Sequence, residues 1–197
     1  MSHRYFIIHK PYGVLSQFTD EGGNPGLGSI FKLPPDVYPV GRLDTDSEGL
    51  LLLTNDKSIN HQLLNPKFKH ERTYWAEVEG IPEKEALQML SSGIQINLKG
   101  TIHKTAPAKV KILNPTPEWP ERNPPVNYLK HPIRTWIELK LTEGKNRQVR
   151  KMTAKVGHPT LRLIRVAIEK ITLGSLKSGE IKEVSESYFY DQLFGKA

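Results

Sequence analysis

The chain has 197 residues, with 28 Lys and Arg against 21 Asp and Glu, 7 His and no Cys, for a net charge of +7. Such a length supports one well-buried core, and without cysteine there is no disulfide framework, thiolate metal site or cysteine nucleophile. The longest apolar runs, Tyr5 to Ile8 and Leu50 to Leu53, fall far short of the roughly 20 residues that a membrane-spanning helix needs, and the amino terminus lacks a secretory pattern. The composition predicts a soluble protein of a reducing compartment, the cytoplasm, with no membrane partner.

In chain order, Tyr5 to His9 reads as a strand that runs into a Lys10-Pro11-Tyr12-Gly13 turn. Gly22, Gly23, Gly26 and Gly28 read as a flexible loop, since the stretch lacks the phosphate-loop lysine and the dinucleotide fingerprint. Leu50 to Thr54 is a buried strand, and Asn55-Asp56 caps a helix over Lys57 to Leu64. Thr73 to Glu79 is a strand, followed by a helix over Glu83 to Ser91 with Pro82 opening it and Gly93 closing it. Lys109 to Leu113 is a further strand. Residues 114–132 hold six prolines in 19 positions, too many to propagate helix or strand, so the segment is an extended loop. Within it, Trp119 and Arg122 are candidates to touch nucleic acid.

From Ile133 to Leu141 the alternation is that of a half-buried strand, with Ile133, Thr135, Ile137, Leu139 and Leu141 on one face. Asn146 to Val156 reads as a helix on which Arg147, Arg150, Lys151 and Lys155 share one arc and Val149, Met152 and Val156 the opposite one. Irregular mixing of strands and helices points to an α+β fold.

The charge is concentrated. Leu141 to Lys170 carries eight basic residues against Glu143 and Glu169, a net +6, while the remainder is nearly neutral. A local positive field of this kind attracts polyanions through phosphate neutralisation and counterion release, although a solvated basic face has the same composition. The seven histidines are dispersed without ligand spacing and read as incidental.

Against this stands the acidic cluster Asp44, Asp46 and Glu48 in Gly41-Arg42-Leu43-Asp44-Thr45-Asp46-Ser47-Glu48-Gly49. Its spacing begins like an EF-hand loop but places Asn55 where a bidentate Glu is required. A magnesium phosphohydrolase needs a second carboxylate cluster, which the sequence lacks. Two readings stay open: acids that cap a surface turn, and one aspartate kept anionic by a neighbouring arginine for covalent or acid-base work.

Four segments in order, His9-Lys10-Pro11-Tyr12-Gly13-Val14-Leu15, Gly41-Arg42-Leu43-Asp44 with Gly49 to Asp56, Tyr74 to Gly80, and Glu143-Gly144-Lys145-Asn146-Arg147-Gln148-Val149-Arg150, resemble the motifs of the RsuA-type pseudouridine synthases. The likeness runs from about residue 4 to 184. Trp119-Pro120-Glu121-Arg122-Asn123-Pro124-Pro125 is similar to the RluE branch, whose members act on large-subunit (23S) ribosomal RNA. The resemblance implies a mixed, largely antiparallel sheet in two lobes about a central catalytic cleft. It also implies one catalytic domain over 1–197 with no accessory RNA-binding module ahead of it.

The reaction implied is a cofactor-free, metal-free isomerisation in which uridine is detached from its ribose at nitrogen, turned, and rejoined through carbon 5. Extruding the base costs a few kcal/mol, which a basic surface can offset. Asp44 matches the catalytic aspartate of the family, attacking either the ribose or the uracil ring. Tyr74 matches the tyrosine that stacks on the base, and Arg150 the arginine that pairs with the aspartate. Arg42 is implied to assist base flipping, Lys10 to line the cleft, and Lys145, Arg147, Lys151, Arg162 and Arg165 to bind RNA. The expected partner is large-subunit ribosomal RNA or its assembly intermediate, bound by a monomer.

Overall fold

The four consecutive leucines Leu50 to Leu53 are all fully buried, because β3 (Glu48–Thr54) is covered on both faces and paired along both edges. Each such side chain contributes roughly 1.5–3 kcal/mol on leaving water. The computed structural model describes residues 2–195 and divides into two compact units. Unit 1 takes the residues up to His70 and those from Ile164 onward, and unit 2 is Glu71–Leu163.

In unit 1, β1 (Tyr5–Lys10) pairs antiparallel with β3, and β2 (Tyr38–Val40) pairs with the Leu52 to Thr54 end of β3. Helix α1 (Lys57–Leu64) follows, capped as predicted by Asp56, whose side chain accepts from Ser58 N at 3.0 Å. The C-terminal part of β9 (Thr160–Ile168) lies parallel to β3 at Glu48–Ile164 and Gly49–Arg165. The short β10 (Ile171–Thr172) folds back on β9, β11 (Ile181–Val184) pairs with β1, and α4 (Glu186–Phe194) closes the unit. Asp56 also ties α4 to β1: Tyr190 Oη donates to Oδ2 at 2.6 Å and Tyr5 Oη at 3.0 Å. Burial opposes its ionisation, yet the bonds from Tyr190 and Ser58 prevail and hold the carboxyl below its ordinary range.

Unit 2 is an antiparallel sheet in the order β4 (Arg72–Glu79), β8 (Arg134–Leu141), β7 (Lys109–Ile112), with the separate hairpin β5 (Gln95–Leu98) and β6 (Thr101–Lys104). Helices α2 (Lys84–Ser92) and α3 (Gln148–Lys155) bury Leu90, Val149 and Met152 with Val78, Ile137 and Leu139. The result is α+β with a mixed, mostly antiparallel sheet, as predicted. Among the described residues no helix is long and apolar enough to cross a membrane.

Several local expectations change. Ile133 lies before β8 and is 59% exposed rather than on its buried face. Helix α3 starts only at Gln148, because Arg147 sits in the left-handed region at φ 52° and ψ 34°. The glycine-rich loop is not loose: Asp20 Oδ1 accepts from Gly26 N and Ser29 Oγ, both at 2.7 Å, and Leu27 N donates to Gln17 O. The proline-rich loop is likewise pinned. Trp119 meets Trp75 edge to face at 5.6 Å, and the Arg134 guanidinium lies 4.0 Å from the Tyr128 ring. Trp119 is therefore engaged with Trp75 within the protein while remaining only half-buried. The short β2, β5, β6, β10 and β11, together with β9 and α4, were not expected from the sequence.

Candidate active site

The loop between β2 and β3 carries Asp44, and two sets of contacts hold it. Ser16 Oγ donates to Leu43 O at 2.8 Å and accepts from Leu43 N at 2.9 Å, so one hydroxyl fixes both backbone groups of the residue before Asp44. On the other side, Gly13 N donates to Thr45 O at 2.8 Å. Leu43 is buried beneath the loop, while Asp44 is half-buried and Arg42 exposed. The backbone that carries the Asp44 carboxylate is thereby fixed on both sides.

The floor of this loop is charged. Lys10 is fully buried, and its Nζ donates to Val14 O at 2.7 Å and Pro11 O at 2.9 Å. Burial pushes the ammonium down from 10.5 to about 8; Glu48, Asp46 and Asp44 oppose that fall and Arg165 adds to it. At neutral pH it is therefore still mainly a cation set beneath the acids.

The neighbouring step depends on glycine. Gly49 has φ +109°, and a Cβ there would fall on the carbonyl oxygen of Arg165 and within 2.8 Å of its nitrogen. Only glycine allows β3 and β9 to approach this closely. Arg165 is itself buried, donating from Nε to Leu50 O at 2.8 Å.

In unit 2, Tyr74 is half-buried on β4, opposite Leu139 of β8, with its ring against the apolar core. The basic segment begins at a loop organised by Glu143. This carboxylate accepts from Gln148 Nε2 at 2.7 Å and Ala106 N at 2.9 Å, and lies 3.1 Å from His103 Nε2. Gln148 in turn accepts from Lys145 N at 2.9 Å. Lys145 and Arg147 are exposed, and Lys151 and Arg150 are half-buried on α3. Arg150 Nη1 donates to Thr160 O at 3.1 Å, which ties its guanidinium to the start of β9.

The structure thus gathers Lys10 and Asp44 with Arg165 in unit 1, and Lys145, Arg147, Arg150 and Lys151 along one loop and helix of unit 2. Arg162 and Arg165, expected to bind RNA, are 3% and 4% exposed, and Lys10, expected to line the cleft, is 0% exposed. Two of the histidines reach backbone carbonyls. His9 Nδ1 lies 2.9 Å from Leu176 O, and His158 Nδ1 lies 2.8 Å from Glu79 O. Sequence reasoning missed two positioning residues. Ser16 has no signal in composition or periodicity, whereas Glu143, one of only two acids in a basic stretch, was a visible anomaly.

A sequence model described as RNA pseudouridylate synthase matches residues 4–155. The chain belongs to this family. It is 52% identical over 172 residues to "Ribosomal large subunit pseudouridine synthase E" of Xanthomonas axonopodis pv. citri, covering 86% of this chain and 88% of that protein. The protein of the same description from Vibrio parahaemolyticus is 44% identical, covering 93% of this chain and 74% of its own length. Among solved structures, one described as "Crystal structure of pseudouridylate synthase" superposes with a TM-score of 0.78 at 27% identity, covering 98% of this chain and 74% of that one.

Proposed function

We propose that the protein isomerises a uridine of large-subunit ribosomal RNA to pseudouridine, with Asp44 as the reacting carboxylate. The observation that carries this reading is the clamped Asp44 loop, which Ser16 and Gly13 grip on either side of the half-buried aspartate. The likeness to proteins described as ribosomal large subunit pseudouridine synthases supports the choice of RNA.

The chemistry balances without an oxidant or reductant. The bond from uracil N1 to ribose C1′ breaks and the bond from C5 to C1′ forms. C5 gives up a proton and N1 gains one, so substrate and product are isomers. The Asp44 carboxylate is the nucleophile: directed at C1′ it displaces uracil N1 and is displaced in turn by C5, and directed at the uracil ring it adds to a ring carbon and is expelled once the bond from C5 to C1′ has formed. Tyr74 and Arg150 serve the same reaction, the phenol against the turned base and the guanidinium as counter-charge. No cofactor is required for an exchange that is neutral in electrons and protons.

The exposed cations Arg42, Lys145 and Arg147, with the half-buried Lys151, are the phosphate contacts. Lys10 and Arg165 act from the interior by holding the backbone around them, and Arg162 is buried with them. The protein works as a monomer in the cytoplasm, where ribosomal RNA is made and assembled.

The test uses large-subunit ribosomal RNA carrying tritium at uridine carbon 5. The wild-type chain is expected to release tritium and leave one mapped pseudouridine, and Asp44→Asn to abolish release while RNA affinity persists. Release by Asp44→Asn at the wild-type rate would overturn the assignment.

A further inference from the structure

Unit 1 contains a hollow of about 650 Å³ between the turn after α1 and the last turn of α4, and it shares no lining residue with the Asp44 loop. That volume lies in the range of ligand pockets. Its walls include Phe68, His70 and Phe194. These belong to an unbroken line of rings: His61 to Phe68 at 6.3 Å, Phe68 to His70 at 6.2 Å, His70 to Phe194 at 5.4 Å, and Phe194 to Tyr190 at 5.6 Å. Phe68 is 53% exposed. Packing α4 onto the unit accounts for Phe194, but it leaves the apolar surface of Phe68 uncovered beside an open space.

The polar groups of the hollow differ from those of an apolar peptide groove. Gln62 and Gln192 bring amides, each offering both donors and an acceptor, and Lys170 brings a cation. Glu169 also lines the hollow, and its Oε1 lies 2.9 Å from His70 Nδ1, so its charge faces the imidazole and steadies that ring. The stretch from Lys57 to His70 holds Lys57, Lys67 and Lys69 with no Asp or Glu. The hollow therefore joins an aromatic platform, amide edges and a positive surround. Single-stranded nucleic acid calls for this combination: a ring to stack on, hydrogen bonds to the base edge, and cations for the flanking phosphates.

We infer that this hollow receives a second, unpaired nucleobase of the RNA substrate, apart from the uridine that is isomerised. The inference depends on the proposed function only in taking RNA as the substrate class. A base anchored there would fix the register of the RNA on unit 1, so that part of the recognition of the target lies outside the reacting site.

The test measures binding of the full chain to transcribed fragments of large-subunit ribosomal RNA. Phe68 is half in solvent, so Phe68→Ala is expected to fold, and thermal unfolding checks that it does. Phe68→Ala should weaken RNA binding about 10-fold, the loss of one stacked base, and Phe68→Trp should restore it. Fragments carrying 4-thiouridine or 6-thioguanosine should crosslink to peptides that contain Phe68 or Phe194.

Wild-type affinity in Phe68→Ala, equal weakness in Phe68→Trp, or crosslinks confined to other peptides would each overturn the inference. So would saturable binding of free UMP or AMP at these rings with RNA affinity untouched by Phe68→Ala, which would make the ligand a mononucleotide. Failure of the wild-type chain to release tritium would defeat the proposed function instead, and the binding and crosslinking results would still decide the role of the hollow.

Discussion

Replacing Lys10 by methionine keeps the length of the side chain and removes its charge, and the structure sets the size of the effect. The Lys10 ammonium is fully buried and loses its proton near pH 8, against 10.5 for an ordinary lysine. At about 1.4 kcal/mol per tenfold change in proton affinity, that gap is roughly 3–4 kcal/mol. The folded affinity for the proton is the lower one, so the unfolded chain binds more protons between about pH 8 and 10.5. Stability from this group therefore rises with pH through that window, and the full cost of burying the cation is present below it.

Near pH 7 the Lys10→Met protein escapes that cost. It also leaves the carbonyls of Pro11 and Val14 without a donor, at roughly 1–3 kcal/mol each, and leaves the nearby acids without their cation. The two proteins should be close in stability at neutral pH and diverge as it rises. Urea titrations of both at intervals from pH 7 to 10 read this directly. Wild type should gain on the variant by roughly 2–3 kcal/mol between pH 8 and 10. Parallel curves across that interval would refute the assignment of a depressed lysine beneath the Asp44 loop.

Gly49→Ala should cost roughly 3 kcal/mol or more, combining a side chain at φ +109° with a clash against the backbone of Arg165; denaturant unfolding measures it, and a change within 0.5 kcal/mol would contradict the close approach of β3 and β9. Glu143→Ala strips the acceptor from Gln148 and Ala106 and should lose about 2–3 kcal/mol of stability. The Lys145 to Arg147 loop should loosen with it, so RNA binding should weaken although no cation has been removed. Filter binding checks this, and unaltered affinity would show that Glu143 does not position the loop.

The parts of this fold that were legible in the sequence are those whose cause is local. The Asp56 cap, the apolar run of β3 and the alternation of β8 each set a structure within a few residues. Strand β9 escaped notice because Arg162 and Arg165 sit in it and read as surface charge, while the protein buries both. Helix α3 begins later than its pattern suggested because Arg147 takes a left-handed conformation that periodicity does not report. The acidic cluster and the basic arc drew attention to Asp44 and Arg150, and resemblance then gave them and Tyr74 their expected roles. Neither pattern nor resemblance indicated Ser16, whose role exists only once residues 16 and 43 meet across the fold.

The division of the chain has a bearing on its synthesis. Unit 2 is one continuous stretch, Glu71–Leu163, whereas unit 1 is assembled from the beginning and the end of the chain. Strand β1 waits for β11, and β3 for the latter part of β9. On a translating ribosome β1, β2 and β3 can pair with one another and the middle of the protein can acquire its native contacts, while the second neighbours of β1 and β3 are still to be made. The lobe that bears Asp44 therefore closes its sheet only once Ile164 and the residues after it have emerged, later than the lobe that lies between its two halves.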